Sequence, residues 1–144
     1  MIAMCHIEVL LVEDSPTDVE ITRRALDRAG APVRLHVVRD GEEALDFLYH
    51  RGRHADAPRP QLILLDLNLP KIHGHEVLRT VKQDPALKVI PVIVFSASEA
   101  DEDVEKTYRL GVNSYFSKPT EFLAYRRLLH DVERYWTELA KLPA

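Results

Sequence analysis

Residues 61–70, QLILLDLNLP, limit most what this chain can become. Positions 62–65 are apolar without interruption, and the run stops on Asp66. A short apolar run with no polar alternation reads as a strand buried on both faces. An acid that closes such a strand sits at the rim of a sheet rather than inside it. Pro70 and Gly74 then interrupt the chain before the next helix can start. Asp66 is the candidate working residue, and the remaining segments test that reading.

Ile7–Val12 (IEVLLV) reads as a first strand ending in Glu13 and Asp14. Ser15 followed by Pro16 is a helix start: Ser15 caps, and Pro16 takes the first helical position, where its missing N–H costs nothing. That helix is expected to run to about Ala29, where Gly30 stops it. Val33–Val38 alternates at first, which marks an edge or half-covered strand. A short helix over 42–50 follows the Asp40-Gly41 turn. Residues 51–60, with Gly52, Pro58, Pro60 and several charges, read as a long loop. After the third strand come a helix over 75–83, a fourth strand over 92–95 that stops at Ser96, and a helix over 100–110. Asp101, Glu102 and Asp103 suit the start of that helix. A more polar fifth strand over 112–116 leads to Ser117, Lys118 and Pro119. The last helix is expected over 121–139.

Five strands alternating with five helices make an α/β, doubly wound parallel sheet with helices on both faces. The first, third and fourth strands are continuously apolar and belong in the centre; the second and fifth are edges. This is the flavodoxin-like order 2-1-3-4-5, whose sites lie outside the carboxyl ends of the strands. The 144 residues fit one domain, with a core over about 6–130 and the last helix extending to about 139. A formal net charge of -4 gives no pull towards nucleic acid or an anionic membrane. The single Cys5 excludes an internal disulfide framework and suits a reducing compartment. With no run long enough to span a membrane and no secretion signal, a cytoplasmic protein is expected.

The strand ends now combine. Glu13 and Asp14 follow the first strand, Asp66 the third, Ser96 the fourth and Lys118 the fifth. In a parallel sheet all of them share one rim. Three carboxylates repel one another, and a hard cation such as Mg²⁺, which prefers oxygen ligands, resolves the conflict. Asp66 is then placed as a nucleophile, since carboxylates form aspartyl-phosphates. The backbone carbonyl of Asn68 is a further candidate metal ligand. Ser96 is positioned to bond a phosphoryl oxygen, and Lys118 to neutralise its charge.

VLLVEDSP, LILLDLNLP, VFSAS and GVNSYFSKP together resemble the receiver domains of two-component response regulators (CheY-like), across nearly the whole chain. The resemblance implies that Asp66 accepts a phosphoryl group, that Glu13 and Asp14 hold Mg²⁺, that Ser96 is the switch hydroxyl and that Lys118 pairs with the phosphoryl group. Tyr115 matches the switch aromatic, and Lys118-Pro119 matches the family's cis-proline. The acid pair is Glu-Asp where Asp-Asp also occurs, and the switch hydroxyl is Ser rather than Thr. DGEEALDFLYHRG, the proline-bearing loop, DLNLPK and ERYW resemble single-domain regulators that partner bacterial phytochrome histidine kinases. The implied partner is a sensor histidine kinase of the bacteriophytochrome type. The implied output is a protein contact, with a homodimer through the fourth helix, fifth strand and fifth helix, supported by Tyr125, Tyr135 and Trp136. Ser98, near the site, is expected to affect phosphoryl lifetime.

Three rivals are weaker. A phosphatase with an aspartate nucleophile needs a second Asp two residues on, and that position is Asn68, which cannot protonate a leaving group. A flavin carrier needs a phosphate loop after the first strand, where EDSPTD is acidic. A phosphorylation-independent adaptor would have no use for the acids, Ser96 and Lys118. The seven histidines are expected on the surface, with His73 and His75, two apart, not facing one another on a helix.

Overall fold

The computed structural model describes residues 6–27 and 32–143. Its five strands are β1 (Ile7–Val12), β2 (Val33–Val38), β3 (Leu62–Asp66), β4 (Val92–Ser96) and β5 (Ser114–Ser117). They pair in the order β2-β1-β3-β4-β5, and every pairing is parallel. The helices are α1 (Pro16–Asp27), α2 (Gly41–Leu48), α3 (Gly74–Gln83), α4 (Asp101–Arg109) and α5 (Phe122–Arg134). The expected fold and strand order are those observed.

Alternation along the central strands explains how both faces fill. Leu10 and Val12 of β1, Ile63 and Leu65 of β3, and Val92 and Val94 of β4 pack under α2 and α3 with Phe47, Val77, Leu78 and Val81. Val9, Leu11, Leu62, Leu64, Ile93 and Phe95 point the other way, onto Val19 and Ala25 of α1 and Tyr125, Leu129 and Val132 of α5. These strands carry apolar residues on both faces because helices cover both. β2 and β5 are only partly buried, as edges should be. α4 is the most weakly held helix: Thr107 is its one buried residue.

Ser15 caps α1 as its sequence foretold, its Oγ accepting from the Asp18 amide at 3.3 Å. The expected stop of that helix at Ala29 and Gly30, and the lone Cys5, lie outside the described residues. Residues 51–60 form a loop with one 3-10 turn, Gly52–His54. The loop is tied down by His54, whose ring lies 5.3 Å from that of Phe47. β5 starts at Ser114, later than expected, and Asn113 just before it clips the start of β4: its side-chain oxygen accepts from the Val92 amide at 2.9 Å and its own amide donates to the Val92 carbonyl at 3.0 Å.

The last helix does not run evenly to 139. α5 ends at Arg134, and Tyr135–Leu139 is a π-helical turn. The Thr137 hydroxyl donates to the Glu133 carbonyl at 2.8 Å, and the Ala140 amide reaches back to the Tyr135 carbonyl at 2.7 Å. That amide bond, reaching five residues back, closes the wider turn. Among the described residues no helix is long and apolar enough to cross a membrane.

Candidate functional site

The carboxyl ends of β1, β3, β4 and β5 bring the expected residues together. Asp66 is the last residue of β3 and is buried. The chain leaves it tightly: the Gly74 amide donates to the Leu67 carbonyl at 2.9 Å. A Cβ on Gly74 would lie 2.5 Å from the Leu67 Cα and 2.6 Å from the Asp66 carbonyl oxygen. Only glycine allows α3 to press this closely on the strand end. One Asp66 oxygen accepts from the Asn68 amide at 3.2 Å, which fixes the carboxylate plane.

Carboxylate oxygens of Glu13, Asp14 and Asp66 lie within 4.8 Å of one another. Glu13 is buried and Asp14 is exposed, so the trio opens to solvent on one side. Burial pushes the Glu13 carboxyl up to about 7; its hydrogen bond with Lys118 pulls it partly back, and the nearby charge of Asp66 adds to the rise. Three hard oxygen donors at this spacing, one of them reluctant to ionise without a cation, fit a divalent metal.

Lys118 closes the other side. Its Nζ lies 2.8 Å from Glu13 Oε2, 2.9 Å from Asp18 Oδ2 and 3.4 Å from Asp66 Oδ2. Burial alone would lower this ammonium, but the hydrogen bond and charge of Glu13 outweigh it and hold the proton more firmly than usual. The backbone of Lys118 is also fixed, its amide donating to the Ser96 carbonyl at 2.7 Å. Ser96 is buried, and its Oγ accepts from the Ser98 amide at 3.1 Å. Tyr115, half-buried on β5, donates its hydroxyl to the Ser98 carbonyl at 2.9 Å. A groove lined by Asn68, His73, Glu76, Ser96, Ser98 and Lys106 runs away from this rim towards α4.

Several expectations need correction. The described residues hold no cis peptide bond, so Lys118-Pro119 is trans; Lys118 reaches the acids from that backbone. Tyr125 does not belong to an outer surface. It is buried behind the site, and burial raises its phenol well above the usual range. His75 is buried as well, because α3 is pressed onto the end of β3; its Nε2 lies 2.9 Å from Thr107 Oγ1. His73 and His75 do meet, with ring centroids 4.9 Å apart. His73 precedes the helix as its N-cap, where helical spacing does not apply. Asp18 is the site residue that sequence reading missed. It follows no strand, and an acid in the first turn of a helix reads as a partner of the helix dipole.

A 2-1-3-4-5 sheet with acids, a hydroxyl and a lysine on its carboxyl rim defines a class, and the known proteins agree. Residues 9–130 match the response regulator receiver domain, and the chain belongs to that family. It is 42% identical over 136 residues to response regulator Rcp1 of Synechocystis sp., covering 94% of this chain and 92% of that protein. The Mn²⁺-bound crystal structure of Rcp1 superposes with a TM-score of 0.93, covering 95% of this chain and 99% of that one. The phosphorylated cyanobacterial phytochrome response regulator RcpA, 41% identical, covers 97% of this chain and all of its own (100%) with a TM-score of 0.94. The bacteriophytochrome response regulator RtBRR is 39% identical over 96% of this chain and 85% of its own, with a TM-score of 0.76. The relatives are signalling regulators, and a divalent-metal site at Glu13, Asp14 and Asp66 is consistent with the metal-bound relative.

Proposed function

We propose that this receiver takes a phosphoryl group from the phosphohistidine of a sensor histidine kinase onto Asp66. A carboxylate oxygen of Asp66 attacks phosphorus, the N–P bond breaks, and the kinase imidazole leaves with the electron pair. The observation that carries this reading is the convergence of three carboxylates within 4.8 Å, with the Lys118 ammonium 3.4 Å from Asp66. Glu13, Asp14, Asp66 and the backbone carbonyl of Asn68 would hold Mg²⁺, which when bound offsets phosphoryl charge and orients its oxygens. Lys118 supplies a fixed positive charge on the opposite side. Ser96 Oγ is the hydroxyl available to a phosphoryl oxygen, and the Asn68 amide keeps the acceptor oriented.

The phosphoryl group adds roughly -1.5 to -2 charges and new acceptor oxygens. Once Ser96 Oγ turns to one of them, its bond to the Ser98 amide is lost. The Ser98 carbonyl then shifts under Tyr115, and the ring turns inward as the switch aromatic. α4, held by Thr107 alone among its buried residues, is the element that such a change moves most easily.

The output is a protein contact rather than turnover or nucleic-acid binding. A homodimer through α4, β5 and α5 is supported by the exposed apolar surface of Tyr108 and Tyr135, with Leu139 just beyond. A bacteriophytochrome kinase is the proposed partner, on the strength of relatives that are phytochrome regulators. A kinase fed by ATP works in the cytoplasm, and so does its regulator on this reading.

The test is intact mass after incubation with acetyl phosphate and Mg²⁺. One phosphoryl adduct that needs the metal supports the reading. The absence of any adduct, with or without metal, would leave a receiver that works as an unphosphorylated adaptor.

A further inference from the structure

Lys118 has more anions around it than phosphoryl transfer uses. An ammonium carries three donors. Here they meet Glu13 at 2.8 Å, Asp18 at 2.9 Å and Asp66 at 3.4 Å, so the longest contact is the one to the acceptor. Glu13 belongs to the candidate metal site, but Asp18 is neither acceptor nor part of the acid trio. Its place is nevertheless fixed. The Asp18 amide donates to Ser15 Oγ at 3.3 Å, and its carbonyl accepts from Thr22 Oγ1 at 2.8 Å. The carboxylate is therefore carried on a held backbone and turned to Lys118. The pair is largely shielded, with the Lys118 side chain 14% exposed and that of Asp18 24%.

We propose that Asp18 is a positioning residue that holds the Lys118 ammonium off Asp66 in the unphosphorylated protein. It thereby sets how readily position 66 takes and keeps a phosphoryl group. The inference rests on the phosphotransfer reading above. A phosphoryl oxygen on Asp66 can gain a Lys118 donor only by drawing it from a present partner. Asp18 is the partner whose loss costs neither the acceptor nor the metal. Its negative charge also opposes an incoming anionic donor. Both effects have the same sign: without the Asp18 charge, the adduct forms faster and lasts longer.

The experiment follows formation of the adduct from acetyl phosphate with Mg²⁺, and its loss after the donor is removed, by intact mass. The proteins are wild type, Asp18→Asn, Asp18→Ser, Asp18→Glu and Glu20→Gln. Glu20 is an exposed acid on the same helix, paired with Arg24 at 3.0 Å. Mg²⁺ affinity is measured for each by calorimetry. Asp18→Asn and Asp18→Ser should form the adduct roughly threefold to tenfold faster and lose it more slowly, the size of one ordinary net hydrogen bond. Asp18→Glu should return towards wild type, Glu20→Gln should match it, and Mg²⁺ affinity should stay within about twofold. A general structural defect would not raise one rate while lowering the other. Rates equal to wild type in both neutral variants, slower formation in them, or an equal gain in Glu20→Gln would overturn the inference. A wild type that forms no adduct would remove the phosphotransfer reading, and this inference with it; a wild type that does, beside unaffected variants, removes the inference alone.

Discussion

The hydroxyl of Tyr115 donates to the carbonyl of Ser98 at 2.9 Å, which ties β5 to the loop between β4 and α4. That loop also carries the Ser98 amide bound to Ser96 Oγ. The proposed switch hydroxyl and the proposed switch aromatic therefore hold the same residue from two sides. A change at Ser96 reaches Tyr115 through one backbone unit, without any need for a long chain of contacts.

Tyr115→Phe tests this link. It keeps the ring packed against the α2–α3 side of the sheet and removes one partly buried hydrogen bond. The expected cost is about 1 kcal/mol in urea unfolding. Amide exchange over residues 98–100 should quicken, while exchange in β3 should not. Unchanged exchange in the loop would show that Tyr115 does not anchor it.

Glu13 gives a pH dependence. Its carboxyl is raised by burial to about 7, so the neutral form is favoured in the metal-free protein. Its contribution to stability is full below the ordinary carboxyl value of 4.5 and is lost as pH rises through about 7. A divalent cation must displace that proton. Mn²⁺ affinity should fall as pH drops below 7, by up to about tenfold per unit, and level off above it. Calorimetry at several pH values checks the slope. Glu13→Gln should bind more weakly and flatten the curve; a variant with the wild-type slope would assign the proton elsewhere.

His75 works in the opposite sense. Burial lowers its imidazole from the ordinary 6.5, aided by His73, Lys106 and Arg79 and opposed by Asp103. The unfolded chain takes up the proton first. Stability from the neutral ring is present above 6.5 and is lost as pH falls below it. His75→Gln can keep a bond to Thr107 but cannot titrate. Urea midpoints at neutral and mildly acidic pH should show wild type losing stability that the variant retains. Parallel losses in the two proteins would contradict the assignment.

Much of this was legible in the chain because the signals were local. The unbroken apolar runs in β1, β3 and β4 could only be central strands, and their terminal acids and hydroxyl had to share a rim. Lys118 was legible for the same reason. Asp18, Tyr125 and His75 were not. Each lies on a helix, where the residue type suggested a helix-start acid, a surface aromatic and a solvated imidazole. What brings them in is the close seating of the helices on the sheet: α3, through Gly74, on Asp66 and Leu67, and α5 on Phe95, whose ring lies 6.3 Å from that of Tyr125. Such seating depends on contacts between segments far apart in sequence, so no local pattern announces it.

Chemical trapping shows directly whether Asp66 is the acceptor. An acyl phosphate is reduced by borohydride to the alcohol, whereas a free carboxylate is not. The protein is phosphorylated with acetyl phosphate and Mg²⁺, reduced, digested and sequenced by mass spectrometry. Homoserine is expected at position 66, with no other acid reduced and none formed when metal is withheld. Homoserine at position 14 or 18, or the one-carbon-longer hydroxynorvaline at Glu13, with Asp66 intact would contradict that assignment.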